Sequence, residues 1–189
     1  MQKQNSILQG FSLVWQGLSV ENIFRAGIFL VATWFVYFAI ATIFMPYPIE
    51  YREGVSQVLT QLLLDGENPF SAANQPLAMT NYGILYSFVA YPFVVLFGNT
   101  LAVYRSINFI ILLFIFLIIS QTASKNGSDR YIAQACGLMI IIVIPSWGGF
   151  GAYPSVMGAF LFISAALVPF SFSFSIKSLW ISAFLAVLA

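Results

Sequence analysis

Twenty consecutive residues from Ala26 to Met45 carry no charge. Wound as a helix at about 1.5 Å per residue, such a run matches the ~30 Å hydrocarbon thickness of a bilayer. In lipid every backbone N–H and C=O must find its partner inside the segment, so an α-helix is the form this run takes. Further apolar runs occur at about 101–121, 131–147, 153–170 and from Ile176 onward, separated by short turns. The expected fold is therefore all-α, a polytopic set of transmembrane helices. A chain that is 60% hydrophobic and 7% charged fits that class and no soluble one. The last run is still apolar at Ala189, with no polar flank, so the expectation is an N-terminal portion of a longer protein.

Several function classes are excluded early. A formal net charge of +1, with seven bases spread thinly, offers no nucleic-acid footprint. Histidine is absent, which leaves Glu, Asp, Lys and Tyr for proton transfer. Cys136 is the single cysteine and sits in an apolar run, so no disulfide framework or thiol metal site is expected.

Residues 1–25 carry Ile7, Phe11, Trp15 and Leu18 at helical spacing, the pattern of a cytoplasmic helix lying on the membrane surface. Ser19 is a suitable N-cap for the helix that leads into the first apolar run. Ala39 and Ala41 form an A-x-A, yet the apolar run is too long for the core of a cleaved signal peptide. The chain thus divides into an interfacial segment, 1–25, and a membrane module, 26–189.

The stretch 46–100 differs from everything after it, for it holds four of the six carboxylates: Glu50, Glu53, Asp65 and Glu67. From Gly54 to Asp65, Val55, Val58, Leu59, Leu62 and Leu63 share one face while Ser56, Gln57, Thr60 and Gln61 lie largely on the other, which predicts an in-plane helix stopped at Gly66. Ile84–Phe97 is apolar but, at fourteen residues with Pro92 inside, too short to cross. If it does not cross, Lys3, Arg25, Lys125, Arg130 and Lys177 are cytoplasmic, and only Arg52 and Arg105 lie outside. The positive-inside rule prefers that arrangement, with the N-terminus inside and the 46–100 loop extracytoplasmic.

Carboxylates at a membrane boundary are costly unless paired or wet. Glu50 and Glu53 are solvated caps for the in-plane helix, with Arg52 pairing to Glu50, or they are reactive groups. Arg105 has two readings as well: a bidentate phosphate donor, or a structural cation that snorkels to the interface or pairs with a loop carboxylate.

The motif Glu50-Tyr51-Arg52-Glu53-Gly54, then Asp65-Gly66-Glu67-Asn68-Pro69-Phe70, Asn81-Tyr82-x-x-Leu85-Tyr86 and Leu96-Phe97-Gly98 with Arg105, resembles the start of GT-C membrane glycosyltransferases, the relatives of protein O-mannosyltransferases and of the lipid A aminoarabinose transferase. The resemblance covers about 46–120. It implies a first extracytoplasmic loop with two juxtamembrane helices, a polyprenyl-phosphate sugar as donor, inversion at the sugar, and a loop carboxylate as base: Glu53 first, Glu50 second. It also implies donor or acceptor contacts from Tyr51, Arg52, Asn81, Tyr82, Tyr86 and Arg105. Arg52 stands where many members have aspartate, and Gly83-Ile84 replace the usual Pro-Pro. The stretch 151–155 lacks the charges of the family's later R-x-D-like turn, so neither a divalent metal nor another cofactor is expected. The competing class is a noncatalytic membrane subunit or transporter whose acidic loop binds a cation or a partner.

Overall fold

A computed structural model describes residues 19–50, 52–74, 84–146, 151 and 153–189. Its helices are α1 (Val20–Ile43), α2 (Arg52–Leu64), α3 (Leu85–Phe97), α4 (Leu101–Lys125), α5 (Arg130–Ser146), α6 (Pro154–Ser171) and α7 (Ile176–Leu188), with a short 3₁₀ turn at Ala72–Asn74. Three of them, α1, α4 and α6, are long and apolar enough to cross a membrane. At 17 residues α5 has the length expected of its run, displaced by one position, and α7, 13 residues long, begins at Ile176 as expected.

The first helix begins earlier than its uncharged run. Ser19 Oγ accepts the Asn22 N–H at 3.2 Å, and Glu21 pairs with Arg25 one turn on. The cap and the i,i+4 pair carry the helix back to Val20. Val20–Arg25 therefore belong to α1 rather than to a separate interfacial segment, while the pattern at Ile7, Phe11, Trp15 and Leu18 lies outside the described residues.

The middle of the molecule is α4, which packs against α1, α2, α3, α5 and α6. Its Tyr104, Ile107, Ile111, Leu112 and Ile115 form the core with Phe35 of α1, Ala90 and Val94 of α3, Leu138 and Ile141 of α5 and Val156 of α6. Small residues set the closest approach. A Cβ at Gly137 of α5 would come 2.9 Å from the Phe116 carbonyl of α4, so only glycine lets the two helices meet there. Outward, α1 exposes Phe29, Trp34 and Tyr37, and α6 exposes Phe162. That is an apolar exterior suited to hydrocarbon.

Between α1 and α4 the chain folds back as α2 and α3, two thirteen-residue helices packed on each other. Gly66, at φ +73°, ends α2: the Glu67 N–H reaches Leu62 O at 2.8 Å and the Gly66 N–H reaches Leu63 O at 3.2 Å, the paired bonds of a Schellman stop. The polar face of α2 turns into the protein, where Glu53, Ser56 and Thr60 are buried, whereas Val55, Val58, Leu62 and Leu63 stay half-exposed. Asn99 ties the pair together. Its side chain donates to Gln57 O and Gln61 Oε1, and its Oδ1 accepts from Tyr104 Oη at 2.8 Å.

Candidate functional site

The last turn of α1 has no basic residue to meet the negative end of the helix. Arg105, projecting from the first turns of α4, reaches that turn and the chain just past it. Its Nη1 donates to Thr42 O at 2.8 Å and Met45 O at 2.6 Å, and its Nη2 donates to Tyr47 O at 2.8 Å. The remaining N–H groups grip Glu53 of α2 as a fork, Nε to Oε1 at 2.9 Å and Nη2 to Oε2 at 2.8 Å. Those five bonds use all five guanidinium donors. Both side chains are 0% exposed.

Glu53 is equally engaged. Besides the fork, its Oε2 accepts the Ile49 N–H at 2.7 Å, and its place in the first turn of α2 sets it against the positive end of that helix. One ion pair thereby fixes the end of α1, the start of α2 and the start of α4. A carboxylate buried at 0% exposure and held by three hydrogen bonds is out of reach of an incoming hydroxyl. The reading of Arg105 as partner to a loop carboxylate is the one observed.

Three residues earlier the surroundings change. Glu50 accepts from Arg52 Nε, and their side chains are 25% and 42% exposed. Arg52 also lies over the ring of Tyr153, 5.7 Å from its centroid, where the chain enters α6. The Arg52 guanidinium holds the Glu50 carboxyl below its ordinary value, against an opposing push from desolvation, and the nearby Tyr153 hydroxyl adds to the lowering. Desolvation first, and then the charges of Glu50 and Glu53, push the Tyr153 phenol up. Glu50 and Arg52 thus form a half-open ion pair over the buried Tyr153 ring, beside the closed Glu53–Arg105 pair.

The cluster is positioned from behind by a residue that a search for charges passes over. Asn108, one turn beyond Arg105 on α4, donates through Nδ2 to Gly151 O at 2.8 Å and Tyr153 O at 3.1 Å. Its Oδ1 is buried without a partner among the described residues. Gly151 is pressed so tightly that a Cβ there would lie 2.6 Å from the Tyr153 ring and 2.8 Å from Glu53 Oε1. The uncharged stretch 151–155 therefore contributes through its backbone and one phenol. The signal available in the sequence was the spacing of Arg105 and Asn108, three residues apart at the start of a long apolar run.

The other candidate residues are dispersed. Tyr86 of α3 is buried, donating its hydroxyl to Tyr104 O at 3.1 Å. Tyr51, Asn81 and Tyr82 lie outside the described residues. Among the described residues, no three His, Cys, Asp or Glu side chains gather as a metal site would require. No family model, curated protein or solved structure matches this chain.

Proposed function

We propose that the protein is a membrane glycosyltransferase of GT-C type, with its 46–100 loop on the extracytoplasmic side, α2 and α3 lying along that membrane surface, and Glu50 rather than Glu53 as the base. The observation that carries this reading is the half-open Glu50–Arg52 pair, lying over the Tyr153 ring and held against a buried ion pair. The half-exposed Val55, Val58, Leu62 and Leu63 of α2 support the in-plane placement, because they leave part of an apolar face open to lipid.

The chemistry rests on the groups present. Glu50 takes the proton of an acceptor hydroxyl as its oxygen attacks the anomeric carbon of a polyprenyl-phosphate sugar. The anomeric C–O bond to phosphate breaks with inversion, and its electron pair leaves on the phosphate. Negative charge grows on that phosphate, and Arg52 is the guanidinium placed to meet it. While Arg52 holds Glu50, the carboxylate is a weak proton acceptor. A donor phosphate that draws Arg52 away restores its basicity at the moment the hydroxyl arrives.

The test uses membranes from cells producing the protein, supplied with radiolabelled polyprenyl-phosphate sugars. Glu50→Gln should lower transfer by about 10²-fold or more, the usual worth of a positioned general base. Undiminished transfer by Glu50→Gln would remove it from the mechanism. Absence of any transfer by the unaltered protein would leave the noncatalytic membrane subunit as the better reading.

A further inference from the structure

The opposite end of α1, about 25 Å from Thr42 at 1.5 Å per residue, holds a second constellation that the proposed chemistry does not use. A cleft of about 340 Å³ runs between α1, α4 and α5, walled by Phe29, Ala32, Leu113, Phe116, Leu138 and Ile141. Its mouth is polar. Arg25 lies over the Tyr131 ring at 4.4 Å from the centroid, and Gln134 stands on the neighbouring turn of α5. Arg25 engages Glu21 through one nitrogen, while its other donors have no hydrogen-bond partner among the described residues. Around the wall formed by Phe116 and Gln134 opens a second cavity, also about 340 Å³, lined by Ser120, Gln121, Ser124, Lys125 and Arg130.

The two cavities ask for different chemistry within one ligand. The first takes hydrocarbon and has no other polar wall. The second and the mouth between them present Arg25, Lys125 and Arg130 with hydroxyl and amide donors. The carboxylates facing the same end are Glu21, already on Arg25, and Asp129, whose Oδ1 accepts the Tyr131 N–H at 2.8 Å. Three cations against two engaged carboxylates leave an excess of positive charge beside an apolar slot. Basic pockets between membrane helices bind anionic headgroups on these terms. Arg25 is suited to a phosphate, for its planar fork can hold two oxygens while its face rests on Tyr131.

We propose that this end of the bundle is a binding site for an anionic glycerophospholipid, with one acyl chain in the α1–α4–α5 cleft and the headgroup phosphate on Arg25, reaching toward Lys125 and Arg130. The site does not depend on the glycosyltransferase reading, since it uses none of the same residues.

Photo-crosslinking in phosphatidylcholine nanodiscs tests it, using trace diazirine-acyl phosphatidylglycerol or diazirine-acyl phosphatidylcholine and mapping the labelled peptides by mass spectrometry. Labelling of α1, α4 and α5 peptides should favour phosphatidylglycerol by about fivefold, the worth of one well-placed cation near an anionic headgroup. Labelling of the exposed face of α6 should show no such preference and serves as the internal control. Arg25→Gln, at an exposed position that leaves the core intact, should bring the ratio close to one, and Arg25→Lys should keep most of it. Equal labelling of the cleft by both lipids in the unaltered protein would show ordinary solvating lipid and overturn the proposal. Loss of the preference in excess glycerol 3-phosphate would overturn the acyl-chain part, since a soluble headgroup would then suffice. An unlabelled cleft beside a labelled α6 would overturn the proposal too, for protein, such as residues 1–18 or a second copy, would then occupy the site.

Discussion

Glu50 and Glu53 stand one helical turn apart on the same loop and meet opposite fates. Glu53 is gripped by a guanidinium from 52 residues away and by the Ile49 N–H, at 0% exposure. Glu50 is held by its near neighbour Arg52 in a pair that water still reaches. The difference teaches that proximity to the membrane does not decide which carboxylate is closed off. What decides is where the partner comes from. A partner on another helix turns the acid into a joint, whereas a partner two residues away leaves the pair open to solvent.

The largest effect should come from breaking the joint. Arg105→Met leaves Glu53 buried without its cation and uncaps the carbonyls of Thr42, Met45 and Tyr47. Removing one member of a buried pair costs about 3–5 kcal/mol. The expected outcome is loss of the monodisperse folded protein in detergent, measured by size-exclusion chromatography and thermal unfolding. Arg105→Lys should rescue little, because an ammonium has three donors where five acceptors wait. A stable, monodisperse Arg105→Met protein would show the joint to be dispensable and would undo the contrast between the two acids.

Gly151→Ala comes next. The added methyl meets the Tyr153 ring at 2.6 Å and Glu53 Oε1 at 2.8 Å, so one of them must move. Overpacking of this kind costs about 1–3 kcal/mol. If Tyr153 is the group that yields, transfer activity should fall more than stability does. Unchanged melting and unchanged transfer would mean that the chain at Gly151 has room it is not shown to have.

How much of this was legible beforehand varied with the distance over which a residue acts. The cap at Ser19 and the stop at Gly66 are local, set by an N-terminal hydroxyl and a left-handed residue, and each appears where the sequence puts it; the helix expected over Ala26–Met45 is there too, but runs from Val20 to Ile43. The reach of Arg105 to Glu53 crosses 52 positions, and charge alone could not choose between that partner and a phosphate. Asn108, Asn99 and Tyr153 were passed over because they carry no charge. Their importance lies in backbone carbonyls and ring faces brought near by packing, which periodicity does not report. The helices at the later apolar runs were legible for the same local reason, since α5 covers Arg130–Ser146 against an expected 131–147 and α7 begins at Ile176.

The smallest effect on stability should be at Glu50, and its dependence on pH gives the sharpest contrast with Glu53. The Glu50 carboxyl is lowered below its ordinary value of 4.5 in the folded protein by Arg52. A group whose folded value is depressed contributes stability above its unfolded value and loses that contribution as pH falls through the folded one. The gap in unfolding midpoint between the unaltered protein and Glu50→Gln should therefore be small and constant near neutral pH and should close in acid, below about 4.5. Thermal unfolding in detergent across that range measures it. Addition of a polyprenyl-phosphate donor should shrink the gap at neutral pH as well, because the phosphate competes for the same guanidinium. A gap that is large, or that is indifferent to donor, would mean that Glu50 is a structural joint like Glu53 and that the reactive acid lies elsewhere.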